Sequence, residues 1–245
     1  MSRFRDVDRA LIERLDSTFY PDVPDNWDND HFRSLVLPLM TGESVVLDVG
    51  AGRGALPQMD FRGHAGTVIG VDPDPVVLQN PLVHEAHVAT AESMDVIATG
   101  SIDLMVSNNV LEHVPDPEGF FREASRVLRP DGMLVTKTPN RRHYMATIAR
   151  LTPTSFHERV TAWRGRPVED TFPTTYPANT IEDQTRFADA VGLKVEAIEL
   201  MESRPEYLRI TALSYLPGIA WERTVNRFKL DRFKIVMFST FRKVD

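Results

Sequence analysis

The apolar residues of this chain fall into short clusters whose spacing changes from segment to segment. Over residues 3–16 they recur at Phe4, Val7, Leu11 and Leu15, which share one face of a helix. A loop rich in Pro, Asp and Asn follows from Tyr20 to Asp30, and a second helix is predicted from His31 to Met40. The pattern then becomes that of buried strands, at Ser44–Val49, Thr67–Val71, His87–Ala89, Ile102–Ser107 and Met133–Thr138. Between the last two, Phe120, Phe121, Ala124, Val127 and Leu128 give Pro117–Leu128 an amphipathic helical stripe, and Arg129-Pro130-Asp131-Gly132 reads as its stop and turn. Strands alternating with helices at this spacing predict an α/β fold with a parallel sheet and right-handed crossovers.

Residues 139–178 break this rhythm, with prolines at 139, 153, 167, 173 and 177. A helix from Arg142 to Leu151 fits the pattern there, and a long irregular insertion in a compact domain is usually a functional loop or cap. Regularity returns with a helix over Thr180–Val191, closed by Gly192, and a strand over Leu193–Met201. Pro205–Leu230 reads as mostly helical with a break at Pro217-Gly218, and Phe233–Phe241 alternates as a final strand. The expected organisation is an N-terminal helical segment or lid over 1–43 and an α/β domain over 44–245, interrupted at 139–178.

Composition narrows the function. A chain of 245 residues can bury a full core without disulfides or a structural metal. The net charge of −7 disfavours general binding to phosphate backbones, so no nucleic-acid partner is expected. With no cysteine, thiol nucleophiles are excluded. The N-terminal residues lack the apolar stretch of a signal peptide, and no run is long enough to span a bilayer, so the cytoplasm is the expected compartment.

The chemistry concentrates where the first strand runs into Asp48-Val49-Gly50-Ala51-Gly52-Arg53-Gly54. Glycines permit positive φ and a close backbone approach to a ligand, and a helix starting nearby would present free N–H groups. Asp72, ending the second strand 24 residues after Asp48, suits a ribose diol. Gly50-x-Gly52-x-x-Ala55 also satisfies the dinucleotide pattern, so an NAD-dependent oxidoreductase stays open. Against it stands Asp48, a carboxylate that would repel pyrophosphate and suit an amino group or a sulfonium.

Downstream lie Leu111-Glu112-His113-Val114 after the fourth strand and Val127-Leu128-Arg129-Pro130-Asp131-Gly132 before the fifth. Together with the Gly-rich turn and Asp72, this set over residues 44–140 resembles the class I S-adenosylmethionine-dependent methyltransferases, especially the branch that includes ubiquinone-biosynthesis O-methyltransferases. The resemblance implies a Rossmann-like, seven-stranded, mostly parallel sheet in order 3-2-1-4-5-7-6. Strand 7 would be antiparallel, with helices on both faces and an inserted cap. It implies S-adenosyl-L-methionine as cofactor, with Asp48, Gly50, Ala51 and Gly52 at its amino-acid end. Asp72 would hold the ribose, Ala91 and Glu92 would lie beside the adenine, and Asn108 would lie under the methionine portion. This chain has Thr90 where many relatives carry an Asp. Thr138-Pro139-Asn140-Arg141-Arg142 and Asp170-Thr171-Phe172-Pro173-Thr174-Thr175-Tyr176 also resemble methyltransferases of bacterial polysaccharide and lipid modification.

Methyl transfer needs a base only when the acceptor holds a proton of high pKa. His113 is the candidate, with a loop-bracing histidine as the other reading. His143 and His157 either contact substrate or are exposed loop histidines, the second being the favoured reading, and Arg141 and Arg142 either hold an anionic acceptor or are solvated. Tyr20, Trp27, Tyr144, Phe172 and Tyr176 are candidates for an apolar acceptor pocket or for core packing. His84 and His87 have metal-like spacing but no completing ligands, so no metal site is expected. The sequence thus points to a methyltransferase acting on a small-molecule, sugar or lipid-linked acceptor. A non-catalytic scaffold of the same fold is the alternative, with the oxidoreductase behind it.

Overall fold

The computed structural model describes residues 2–146 and 176–244. Seven strands form one sheet: β1 (Val45–Val49), β2 (Thr67–Asp72), β3 (Glu85–Val88), β4 (Ile102–Asn108), β5 (Leu128–Pro139), β6 (Leu193–Met201) and β7 (Val236–Lys243). Their order is β3-β2-β1-β4-β5-β7-β6, as expected, with β7 antiparallel. The helices among the described residues are α1 (Ser2–Phe19), α2 (Trp27–Val36), α3 (Pro117–Val127), α4 (Ile181–Asp189) and α5 (Ala212–Arg227).

These elements divide into two compact units. The larger is built on Asp28–Pro139, Pro173–Glu199 and Met237–Asp245 and carries nearly all of the sheet. Strand alternation gives the sheet two apolar faces. On one, Leu47, Val49, Met105, Leu134 and Phe241 pack with Phe120, Phe121, Ala124 and Val127 of α3 and with Phe187 and Ala188 of α4. Phe121 is central: its ring stacks on Phe187 at 5.9 Å and meets Phe241 edge-on at 5.7 Å. On the other, α2 sets His31 edge-to-face on Phe238 at 4.8 Å, and Arg33 bonds the Gln58 and Asp60 carbonyls. Asp116 caps α3 by accepting from Gly119 N at 3.0 Å, and Thr180 caps α4.

In this unit three local readings change. The helix expected after the Gly-rich turn does not form; the crossover from β1 to β2 holds only a 3-10 turn over Pro57–Met59. Gly50, Gly52 and Gly54 all have positive φ, outside the right-handed helical region, so no helix starts within the turn. The second helix starts earlier than expected, at Trp27, and stops at Val36, where Pro38 turns the chain into a 3-10 turn. The Arg129–Gly132 stop is instead carried inside β5 as an irregularity: the register to β4 shifts between Ile102 and Leu104, and Asp131 has φ 62°.

The smaller unit is built on Met1–Trp27, Asn140–Phe172 and Leu200–Val236. Here α1 packs on α5 through Ile12, Leu15, Tyr20, Tyr215 and Ile219. Leu11, expected on the buried stripe, is 45% exposed, because the stripe is set by the partner helix. Tyr215 donates to Asp16 at 2.6 Å and Arg209 pairs with the same carboxylate, which fixes the helix rotation. The expected break at Pro217-Gly218 is absent: α5 runs through it, and Gly218 admits Pro205, which a Cβ would approach to 3.0 Å. The helix predicted from Arg142 begins as a helical turn at Tyr144, and its part beyond residue 146 lies outside the described residues.

Replacing Phe121 by Ala removes the ring that joins α3, α4 and β7. A loss of about 3–5 kcal/mol is expected, read as a lower urea midpoint at unchanged slope.

Candidate cofactor site

The sheet register assembles the site. Val49 of β1 pairs with Val71 of β2 and Ser107 of β4, so Gly50, Asp72 and Asn108 emerge side by side at the carboxyl edge. This edge is where ligands bind in open α/β sheets. The turn is closed by its own neighbours. Gly50 N and Ala51 N donate to the Val71 carbonyl at 2.8 and 3.1 Å, Gly52 N donates to Asp72 Oδ2 at 3.0 Å, and Gly54 N donates to Ala51 O at 3.4 Å. Asp72 Oδ1 accepts from Asp74 N at 2.9 Å.

Asn80, which sequence reasoning missed, braces the turn from behind, donating from Nδ2 to the Ala51 and Gly52 carbonyls at 2.9 and 3.2 Å. A Cβ on Gly54 would lie 2.3 Å from Asn80 Oδ1, so only glycine admits this brace. A Cβ on Gly50 would meet Val110 Cγ2 at 2.3 Å, whereas the space above Gly52 is open, with Asp72 Oδ2 the nearest atom at 4.0 Å. The turn is therefore held rigidly on one side and leaves a cradle beside the Asp72 carboxylate.

Its electrostatics are acidic. Asp48 is buried, and burial, together with the nearby charge of Asp72, pushes its carboxyl up to about 8. Two carboxyls and four self-bonded amides make a poor seat for pyrophosphate, which needs free N–H donors. They suit a ligand with a positive group and a diol, as S-adenosylmethionine has. The chemistry of this donor set fits that group.

The other predicted residues group around this centre. Ala89 N donates to the Asp72 carbonyl at 3.1 Å, tying the stretch with Ala91 and Glu92 to the end of β2. Ala91 is buried in the α3 core, and Glu92 Cβ would lie 3.1 Å from a Cβ on Gly119. Asn108 donates from Nδ2 to Asn29 Oδ1 at 3.0 Å. His113 is half-buried on the loop that carries Val110 over Gly50, and its backbone N–H donates to Val110 O at 2.8 Å. Beside it, Glu112 is buried, accepts from Thr138 Oγ1 at 3.0 Å, and is pushed up by burial.

Several candidates fall elsewhere. His84 Nδ1 accepts from Val68 N at 2.9 Å, so it braces the sheet, and His87 pairs with Glu85. Among the described residues no group of three or more such ligands could hold a metal ion. His143, expected to be exposed, is buried in the smaller unit, 3.3 Å from Glu202 and against Tyr144 and Trp221. The packing of these rings, invisible in the local sequence, draws it in. Tyr20 is likewise buried there and donates to Glu222 at 2.9 Å. Trp27, Arg141 and Arg142 are half-buried. Tyr176 N donates to Glu112 O at 3.3 Å. His157 and Phe172 lie outside the described residues.

Comparison with known proteins matches residues 47–136 to the methyltransferase domain family. Over those residues the chain is similar to S-adenosylmethionine-dependent methyltransferase domains. Relatives include a ubiquinone biosynthesis O-methyltransferase of Xanthomonas oryzae pv. oryzae, 36% identical over 103 residues, which are 39% of this chain and 43% of that protein. An uncharacterised methyltransferase of a Mycobacterium species is 37% identical over 97 residues, 38% of each chain. The domain thus spans less than half the length of the curated relatives it matches. Among solved structures, geranyl diphosphate C-methyltransferase of Streptomyces coelicolor shares the fold at a TM-score of 0.54 and 18% identity, covering 89% of this chain and 77% of that one. The cyclase SpnF shares it at 0.57 and 20%, covering 91% and 85%.

Asp48 allows a test of the site's electrostatics. Its folded-state pKa lies above the ordinary value of 3.8, so the fold favours the protonated carboxyl. That contribution is fully present below about pH 4 and is lost as pH rises toward 8. Asp48→Asn, neutral at every pH, is expected to melt a few degrees above the parent at pH 8.5 and much closer to it at pH 5. Thermal melts at the two pH values check this.

Proposed function

We propose that this chain transfers a methyl group from S-adenosylmethionine to an oxygen or nitrogen of a small-molecule, sugar or lipid-linked acceptor. The observation that carries the reading is the Gly-rich turn whose amides are bonded internally between the carboxyls of Asp48 and Asp72. When bound, the cofactor supplies an electrophilic methyl carbon on a sulfonium. The chain's residues bind and orient it. Each Asp72 oxygen already accepts one backbone N–H and keeps a lone pair for a ribose hydroxyl. Gly50, Ala51 and Gly52 carry the amino-acid end past the turn, and Asp48 faces its positive charge. Ala91 and Glu92 flank the base, and Asn108 supports the methionine portion.

Acceptor choice is assigned to the segments at 1–43 and 139–178, which lie outside the stretch matched by the family. The net charge of −7 supports an acceptor other than nucleic acid. Among the described residues no helix is long and apolar enough to cross a membrane.

Calorimetric titration with S-adenosylhomocysteine and with NAD tests the reading. The homocysteine compound is expected to bind at micromolar affinity and NAD not at all; the reverse would make the turn a dinucleotide site. Binding of neither would favour a scaffold. Asp72→Ala is expected to weaken the homocysteine compound at least tenfold, because two ribose hydrogen bonds to a charged acceptor are lost.

His113 is proposed as the base that takes the acceptor proton. Once an acceptor is found by screening phenols, sugars and lipid-linked compounds, His113→Ala is expected to lower kcat about 10²-fold with cofactor affinity unchanged. A mere loop brace would show instead as a lower melting temperature with kcat retained.

A further inference from the structure

The face of the sheet that carries Asp48 also carries a buried cation. Lys137 of β5 is 1% exposed, and its Nζ lies 2.5 Å from Asp28 Oδ2 and 2.7 Å from Asn29 Oδ1. Both partners belong to the first turn of α2. Lys137 pairs in register with Asn108, and Asn108 stands beside Gly50.

We propose that Lys137 is a positioning residue: acting through Asn29, it fixes the Asn108 side-chain amide so that its carbonyl oxygen is kept for the ammonium group of the bound ligand. This deepens the S-adenosylmethionine reading and rests on it.

An ammonium has donors only, so the Asn29 atom facing Lys137 must be Oδ1. That same oxygen faces Asn108 at 3.0 Å, so the Asn108 atom facing it must be the Nδ2 donor. A second weak acceptor, Met59 Sδ, lies 3.5 Å from that nitrogen and agrees with the assignment. The Asn108 carbonyl oxygen is thereby turned to the other side. There it is buried and has no hydrogen-bond partner.

A buried amide oxygen is rarely left unmatched without a reason. Here the oxygen sits on the strand next to the turn and on the same face as Asp48, where the amino-acid end of the ligand would lie. An ammonium needs three acceptors, and this oxygen supplies one. Without Lys137 the Asn29 amide is free to flip. Asn108 can then flip with it and present a donor to a cation.

The test compares two ligands with Lys137→Met, which keeps the length and removes the donor. S-adenosylhomocysteine carries the ammonium; 5′-methylthioadenosine carries only the nucleoside and thioether. Calorimetry is expected to show at least tenfold weaker binding of the first and unchanged binding of the second. Adding Asn108→Leu to Lys137→Met should cost no further affinity, since the two act in series. Equal loss for both ligands would mean a general structural role, and no loss for either would remove the relay; each overturns the proposal. Should Lys137→Met fail to fold, Asn29→Ala cuts the same relay, and Asn29→Asp, which retains the acceptor, is expected to bind like the parent.

If the unsubstituted protein binds neither ligand, the cofactor reading fails by that result alone. The orientation relay is then judged without ligand, from side-chain amide exchange in asparagine-labelled protein. Protected Asn108 Nδ2 protons that lose protection in Lys137→Met support it, and unchanged protection overturns it.

Discussion

The site depends on one hydrogen-bonded closure, in which the Val71 carbonyl and the Asp72 carboxylate at the end of β2 take up the amides of the turn leaving β1. Parallel pairing of β1 with β2 puts acceptor and donor at the same height, so the closure follows from register. It has two consequences. The turn needs no helix behind it, and the β1–β2 crossover shrinks to a 3-10 turn. The amides that would seat a phosphate are consumed, and the carboxyl groups around them set the polarity of the edge.

The face that carries Asp48 is organised by α2. Arg33 reaches the carbonyls of Gln58 and Asp60, His31 packs on Phe238, and Asp28 with Asn29 receives Lys137. Long-range polar contacts thus do what a crossover helix would do by apolar packing. Burying a lysine costs desolvation free energy that ion pairing only partly offsets. What such a pair supplies is a fixed orientation, here passed on to two asparagine amides. The opposite face, under α3 and α4, is a conventional apolar core around Phe121 and Phe187.

The match to the methyltransferase domain family ends near the close of β5, at residue 136. That boundary has a physical sense. The elements up to it are constrained by sheet register and by the turn, which any ligand of this kind requires. Neighbours of the same fold include proteins named as a C-methyltransferase and as a cyclase, so the fold by itself does not decide the reaction.

The sequence by itself determined the elements whose signals are local. The β-branched runs of β1, β2 and β4, the stripe on α3, and the glycines at 50, 52 and 54 all act through conformational preferences confined to a few residues. The sheet order was legible only through family resemblance. Tertiary structure alone decided the rest. Asn29 and Lys137 are 108 positions apart, Thr138 and Asn179 are 41 apart, and His143 meets Glu202 across 59 residues. No local pattern marks any of these polar residues, because their polar neighbours are chosen by packing. The helix that did not form after Gly54 shows the same limit. Once Asp72 and Asn80 had bound the turn, its amides and carbonyls had better partners across the sheet than within a helix.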